Sequence, residues 1–313
     1  MMLARVADSL YWIGRYIERA EHLARLSDVM LNATLDQSDS GAEAAQIALA
    51  AVGDSATRSL SPLEAAQMRV LGRTDDNSVV TSVARARENA RQVRDQITTE
   101  TWERLNILYL RVTGDTASAD FAENPTGFLH ELISDVHLFK GAAESTMSHG
   151  DSWRFLMVGV YLERAQLIAR LLEVCFGEGR RRRITDHIAL MSSLRMACAL
   201  EPYLRTYTAE IEPRFILEFL LLDEDFPRSI RFATARIEEH LDQMTRNTED
   251  GGRSGPHRIA GRLKARLQYA DLEELSVQGA SGLLATVVTE CARIHETIYE
   301  TFVAYPLELR LPA

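Results

Sequence analysis

The chain has 313 residues, of which 46% are hydrophobic and 26% are charged, as in an ordinary globular protein. This length is enough for two domains or for one large helical body. No segment approaches the roughly 18 consecutive apolar residues that a membrane span needs, so we expect no membrane contact. The formal net charge of −10 opposes nonspecific attraction to nucleic acid and to anionic membranes.

The cysteines and the basic residues narrow the class of protein further. Cys175, Cys198 and Cys291 lie far apart, which fits neither a disulfide framework nor a zinc site. With no secretory leader pattern either, we expect a cytoplasmic protein. Of the 35 basic residues only Lys140 and Lys264 are lysines, which leaves 33 arginines. Arginine suits bidentate recognition of carboxylates or phosphates, although GC-rich codon usage is the simpler explanation.

Apolar residues at three- and four-residue steps predict helices throughout the first half of the chain. The longest is a first helix over residues 3–35. Ser61 and Pro62 have the residue types of an N-cap and a first helical position. The predicted helices of this half are 3–35, 43–53, 62–71, 79–95 with an extension through 101–112, and 127–148.

The second half continues in the same way, and strand signals are scarce. Asp151 or Ser152 is expected to cap a helix, while Pro213 and Pro227 suit first helical turns. Residues 251–256 are rich in glycine and predict a long loop. The predicted helices here are 153–176, 185–208, 213–222, 227–247, 257–270 and 281–304. The pattern therefore predicts an all-α bundle of about 10–12 helices.

The strongest signal is an internal repeat. The segment from Gly14 to Val29 returns as Gly159 to Val174, with nine of sixteen positions identical. A weaker match pairs Asp75-Asp76 with Glu224-Asp225 in the same order. Two matches at similar offsets predict duplication of a unit of about 145 residues. We therefore expect two pseudo-symmetric helical halves, residues 1–145 and 146–313, packed as one continuous body.

The repeat keeps a stripe of acidic and basic residues next to the apolar face of each helix. Gly14, Glu18 and Arg25 share one side of a helical wheel, as do their counterparts Gly159, Glu163 and Arg170. Glycine lets another backbone approach closely, so we expect both glutamates to be partly buried and paired with arginine. The pairs either lock helix to helix or bind a ligand, and the structural interpretation is favoured.

Three blocks of sequence resemble the Alpha-E family. The first and most specific runs from Asp8 to Glu21, DSLYWIGRYIERAE; the others are 86–106 and 219–230. The resemblance covers essentially the whole chain. It implies a bacterial helical protein whose genes accompany a circularly permuted ATP-grasp ligase, a transglutaminase-like peptidase and sometimes a proteasome-like hydrolase. Where the second half has Pro227, the first half has no proline in Asp76–Val79.

The resemblance also marks positions for a suspected binding constellation, with no chemistry assigned. These positions are Arg15, Glu18, Arg19, Asn89, Arg91, Arg94, Asp95, Glu163, Arg164 and Arg228. Arg87, Arg91 and Arg94 recur at helical steps and offer planar donors for carboxylates or phosphates. A solvated helix face paired with Glu88, Asp95 and Glu100 explains them equally well.

The chain carries few residue patterns that are typical of catalytic or metal-binding chemistry. No Glu-x-x-His pair of a di-metal bundle occurs, and Leu167 replaces His22 in the repeat, so we expect no metal and an exposed His22. No phosphate-binding loop, nucleophile motif or cofactor signature is present. The basic run from Arg180 to Arg183 is either an RNA or phosphate contact or a solvated cap, the latter favoured.

The sequence thus favours a non-catalytic subunit that works with an ATP-grasp ligase and helps present a peptide or amino-acid substrate. An alternative is an enzyme that uses Glu18 and Glu163 as acid and base in a cleft between the halves. A third, an RNA-contacting module, is ranked below both, since nucleic acid is an unexpected partner at this net charge.

Overall fold

A computed structural model describes residues 3–35, 39–52, 60–177, 187–208, 210–245, 255–270 and 277–304. These residues form fourteen α-helices and no strand, which confirms the all-α prediction with more helices than the 10–12 expected. Within the same ranges, every helix is too short or too polar to cross a lipid bilayer.

The helices of the first half surround a long first helix. They are α1 Ala4–Leu35, α2 Asp39–Val52, α3 Pro62–Leu71, α4 Val79–Gln92, α5 Thr99–Thr113, α6 Ala117–Glu123 and α7 Pro125–Thr146. Those of the second half are α8 Asp151–Phe176, α9 His187–Met196, α10 Leu200–Thr206, α11 Pro213–Leu222, α12 Ile230–Thr245, α13 Pro256–Gln268 and α14 Val277–Ile298. A 3-10 turn spans Arg94–Gln96, and a π-helical turn, Tyr299–Val303, follows α14.

Two helix starts are where the sequence predicts them. Ser61 caps α3: its Oγ accepts a hydrogen bond from the Glu64 backbone N–H, and the Glu64 carboxylate accepts from the Ser61 backbone N–H. This reciprocal capping satisfies two N–H groups that a helix start otherwise leaves unpaired. Pro213 is the first residue of α11, as its fixed φ favours.

Other predicted boundaries are wrong. The helix predicted from 79 through 112 is broken, because α4 ends at Gln92 and the 3-10 turn redirects the chain into α5. The helix predicted over 185–208 is divided at Cys198, whose φ of 55° lies in the left-handed region. Cys198 therefore lies in a turn between α9 and α10 rather than inside a helix. The short helix α6 was not predicted.

Two predicted helix starts are also misplaced. Gly150, with no side-chain cap, precedes α8, so neither Asp151 nor Ser152 is its cap. Pro227 lies three residues before α12 rather than in its first turn. There the Ser229 Oγ accepts a hydrogen bond from the Phe232 backbone N–H. A serine that accepts from the first turn is a better N-terminal signal than a nearby proline.

Helices α1 and α8 form the centre of the molecule. No residue of α1 from Ala7 to Leu31 is exposed, and none of α8 from Trp153 to Ala169 is. A helix that is covered on every side belongs to a core rather than a surface. Helix α1 packs against α2, α3, α4, α7, α8 and α9, while α8 also packs against α12 and α14. The residues that repeat in the sequence therefore lie on the two most buried helices.

The two central helices touch backbone to backbone at a pair of glycines. A Cβ atom added at Gly14 would lie 2.0 Å from the Leu156 carbonyl oxygen, and one added at Gly159 would lie 2.0 Å from the Tyr11 carbonyl oxygen. Leu156 precedes Gly159 by three residues, just as Tyr11 precedes Gly14. Positions 145 residues apart therefore exchange roles at this crossing. Duplication of the whole chain stays a prediction.

We predict that Gly14→Ala and Gly159→Ala each destabilise the fold by about 2 kcal/mol or more, because a helix must move to admit the methyl group. Gly282→Ala is the matched control, since Gly282 is an exposed position in α14 with nothing within 4 Å of an added Cβ. Alanine there should stabilise by about 1 kcal/mol. Urea unfolding measures all three, and equal effects at Gly14 and Gly282 would contradict the close contact.

Candidate functional site: an ionic cluster where the central helices cross

One helical turn beyond the glycine contact, α1 and α8 exchange ion pairs. The Arg19 Nε donates to Glu163 Oε1 at 2.7 Å. In the reverse direction, the Arg164 Nε and Nη2 donate to the two oxygens of Glu18 at 2.7 and 2.9 Å. Each Glu-Arg pair of one helix is therefore completed by the pair on the other, at positions that the sequence repeat aligns.

Arg15 strengthens the Glu163 side of this exchange. Its Nε donates to Glu163 Oε2, its Nη2 to the Gln166 side chain at 2.7 Å, and its Nη1 to the Tyr11 hydroxyl at 2.7 Å. The Tyr11 hydroxyl in turn lies 2.9 Å from His295 Nδ1 on α14. Arg15 thus joins α1 to α8 directly and to α14 through a tyrosine.

The other side of the crossing is organised around Glu21. Its Oε1 accepts from Arg25 Nε at 2.9 Å and from Arg228, and its Oε2 accepts from Lys140 Nζ at 2.5 Å. His137 Nε2 lies 3.2 Å from the same carboxylate. Lys140 also donates to Glu18. Helices α1 and α7 and the turn before α12 therefore meet at one buried acid.

The three glutamates are buried and ionised. Glu18, Glu21 and Glu163 are 1%, 0% and 3% exposed. Burial by itself would raise the pKa of each carboxyl, but the adjacent cations outweigh burial and hold the pKa of all three below the ordinary value. Arg164 and Lys140 act on Glu18, Lys140 and Arg228 on Glu21, and Arg15 and Arg19 on Glu163.

This geometry favours the structural interpretation of the Glu-Arg stripe. A general acid or base must reach a substrate and hold a proton near neutral pH. Glu18 and Glu163 are closed off from solvent and bound by arginine on the opposite helix. The enzymatic alternative requires both to face an open cleft, and they instead face each other's helices across a closed contact.

The structure brings six of the ten predicted binding residues together and leaves four elsewhere. The six are Arg15, Glu18, Arg19, Glu163, Arg164 and Arg228. Arg91 is exposed at the surface of α4 and pairs with Glu88 at 2.7 Å. Arg94 and Asp95 lie in the 3-10 turn beyond α4, and Asn89 lies on α4, partly buried. The expected donor face of Arg87, Arg91 and Arg94 is interrupted because α4 ends at Gln92.

Sequence reasoning missed four members of the cluster: Glu21, Arg25 as a ligand of Glu21, His137 and Lys140. Lys140 carried a usable signal, because it is one of only two lysines among 35 basic residues. An ammonium group reaches two carboxylates at once without the planar geometry that arginine imposes. Arg170, the repeat counterpart of Arg25, is exposed instead, so this part of the stripe is not shared.

His22 is buried, contrary to the prediction that it is exposed. It is 2% exposed, and its Nε2 has no hydrogen-bond partner among the described residues. Burial and then the nearby Arg228 lower the pKa of His22 to about 4, so the ring is neutral. The misprediction has a simple cause, because α1 is covered on every side and has no solvent face for a histidine.

Two further sequence signals can be placed only in part. The basic run Arg180–Arg183 lies outside the described residues, as do residues 251–254 of the predicted long loop, while Pro256 begins α13. Within the described ranges, no three His, Cys, Asp or Glu side chains are placed to hold a metal ion.

We predict that Glu18→Gln destabilises the protein by about 3–5 kcal/mol, since it leaves the buried Arg164 with less compensating charge. Glu88→Gln is the control, because Glu88 pairs with Arg91 on the exposed surface and should leave stability nearly unchanged. Chemical denaturation at pH 7 measures both. Equal stability of the two variants would show that the buried pair does not hold the helices together.

We predict that acid destabilises the fold partly through His22. The unfolded chain binds this proton near pH 6.5 and the folded chain only near pH 4, so the contribution is complete above 6.5 and is lost as pH falls toward 4. His22→Leu places the residue type of Leu167 at position 22 and removes this contribution. The slope of the free energy of unfolding against pH should then decrease over this range by up to about 1.4 kcal/mol per pH unit. The exposed His187→Leu is the control, and an identical slope in both variants would contradict the assignment.

Proteins similar to this chain occur in mycobacteria. The chain is 26% identical, over 94% of its length, to uncharacterized proteins of Mycobacterium bovis and of two strains of Mycobacterium tuberculosis. The aligned region is 35% of each relative, so this chain spans about a third of their length. No solved structure shows detectable similarity.

A family model described as a predicted alpha-helical domain with a conserved ER motif matches residues 2–303. The chain contains three Glu-Arg dipeptides. Glu18-Arg19 and Glu163-Arg164 form the exchanged ion pairs of α1 and α8, whereas Glu103-Arg104 is exposed on α5. With a match over nearly its whole length and this arrangement at its centre, the chain belongs to the Alpha-E family.

Proposed function

We propose that this protein is a non-catalytic helical module that binds an ATP-grasp amide ligase and helps present a peptide or amino-acid substrate to it. The ligase is the partner that the sequence resemblance implies. A transglutaminase-like peptidase and a proteasome-like hydrolase are further candidate partners in the same process, which would modify peptides in the cytoplasm. Cys175, Cys198 and Cys291 form no disulfide, as suits a reducing compartment.

The observation that carries the proposal is the length of the relatives. A unit that aligns with 94% of this chain forms only 35% of each mycobacterial protein. In those proteins the helical unit is covalently joined to a much longer stretch of other sequence. A unit that forms only about a third of a longer chain is typical of a module that works beside other domains.

The ionic cluster supports a non-catalytic role. Its carboxylates hold α1 to α8, and at most 3% of each glutamate residue is exposed. The residues most suited to catalysis are therefore engaged in keeping the fold together. The proposal assigns the chemistry to the partner, since an ATP-grasp ligase activates and joins its own substrates.

The remainder of the predicted constellation, in which Arg91 and Asp95 are exposed and Asn89 and Arg94 partly buried, is our proposed docking surface. It lies where α4 meets α5, and it combines arginines with Trp102 and Tyr109. The guanidinium of Arg87 lies 4.4 Å from the Tyr109 ring centre and 5.5 Å from that of Trp102, and the guanidinium of Arg94 lies 5.8 Å from the Trp102 ring centre. Arginine, tryptophan and tyrosine are the residue types that most often dominate protein interfaces.

Mixing the purified chain with an ATP-grasp ligase of the same organism tests the proposal. We expect the two to coelute in size-exclusion chromatography and the ligase's ATP turnover to change severalfold. An ATP-grasp ligase from an unrelated pathway is the control and should do neither. Separate elution together with unchanged turnover would overturn the proposed function.

We predict that Arg91→Glu weakens this association about tenfold, because it reverses a charge on the proposed docking surface. Arg236→Glu is a closely matched control. Both arginines are exposed, and each pairs at 2.7 Å with a glutamate three residues away on its own helix. Surface plasmon resonance with immobilised ligase measures both variants. Equal weakening by the two would place the docking surface elsewhere.

A further inference from the structure

Cations outnumber carboxylates around Glu21. Two acids, Glu18 and Glu21, share four permanently charged partners, which are Arg25, Lys140, Arg164 and Arg228. The next acid along α1, Asp28, lies 3.4 Å from His130; it interacts electrostatically with Arg25 but forms no ion pair with it. We call the two acids, their four cations and His137 the Glu21 cluster. The paired residues of this cluster have a surplus of two positive charges. The whole chain carries a net charge of −10, so the surplus is local.

The surplus lies at the edge of the protein rather than deep inside it. The acids are closed off, with at most 1% of each side chain exposed, while the side chains of Arg25, Lys140 and Arg228 are 15%, 22% and 11% exposed. His137 is more open, at 53%. All four groups contact the carboxylate of Glu21, so they lie close to one another around it.

These cations keep donors that the glutamates do not use. Arg25 donates through Nε and Nη2, so its Nη1 has no partner among the described residues. Arg228 reaches the acids through its Nη atoms alone, and Lys140 binds two carboxylates with three N–H bonds. The Arg25 Nη1 is not among the buried atoms that lack a partner, so this spare donor is open to solvent.

From this arrangement we infer that the Glu21 cluster binds the phosphoryl group of a small molecule. A phosphate monoester carries close to two negative charges at neutral pH, which matches the surplus of two. Its three outer oxygens can each accept a hydrogen bond from a different element: Arg25 on α1, Lys140 on α7 and Arg228 before α12. A carboxylate would balance only one charge. The acids preorganise the donors, because each cation is already held in place by Glu21.

This inference does not depend on the ligase proposal, since it concerns a ligand of the isolated chain. Phosphoryl binding could fail while the ligase still binds, and the reverse could also occur. The Glu21 cluster and the docking surface at α4 and α5 share no residue, so variants of one leave the other intact.

Titration of inorganic phosphate into the full chain, followed by calorimetry and by 31P NMR at low salt and pH 7.5, tests the inference. We expect saturable binding of one phosphate per chain, and weaker binding of acetate by tenfold or more. Arg25→Gln should weaken phosphate binding about tenfold. Arg170→Gln is the matched control, because Arg170 is the repeat counterpart of Arg25 and is exposed outside the cluster.

Circular dichroism checks that each variant is folded. If Arg25→Gln fails to fold, His137→Leu takes its place, since this side chain is half exposed and its loss should weaken binding severalfold without unfolding the chain. Absence of saturable binding to the wild type, equal affinity for acetate, or equal loss in Arg170→Gln and the cluster variant would each overturn the inference.

Discussion

The structure depends on the contact between the backbones of α1 and α8 at Gly14 and Gly159. Because no side chain separates the helices there, residues one turn further along reach across to the opposite helix. Glu18 meets Arg164, and Glu163 meets Arg19, at 2.7 Å. Apolar residues could fill such a contact more cheaply, since desolvating ions is costly. Buried ion pairs, however, can form at only a few alignments of two helices. The exchanged pairs therefore fix the axial position of α1 relative to α8.

The same contact decides which groups are available for function. Glutamates that lock the crossing cannot also serve an exposed reaction, and their pKa values stay low because arginine and lysine surround them. The cations, in contrast to the glutamates, are partly accessible to solvent. They outnumber the acids, and their long side chains extend from the buried carboxylates to the surface. Reactivity of the carboxylates is therefore suppressed, while positive charge remains accessible at the rim.

Sequence reasoning succeeded where the signal is local and failed where it depends on distant residues. Ser61 with Glu64, and Pro213, act within one turn, so their helix starts follow from the residues alone. Glu18 and Glu163 were found because the repeat marks them. Lys140 reaches Glu21 from 119 residues away, and no periodicity records such a distance. Arg228, which is 207 residues from Glu21, was marked only by the family resemblance. The burial of His22 was not predicted for the same reason, since it results from the helices that pack around α1.

The cluster also suggests where function arose. Arg19 and Arg164 are equivalent, and so are Glu18 and Glu163, so the shared part of the repeat builds the crossing. The differences lie beyond it, where Gln166 is the repeat counterpart of Glu21 and Leu167 that of His22, and where Arg170 keeps the residue type of Arg25 but is exposed. If the halves arose by duplication, as we propose, the residues that hold them together stayed alike because each needs its counterpart. The residues around Glu21 were free to diverge, and there the positive charge collects.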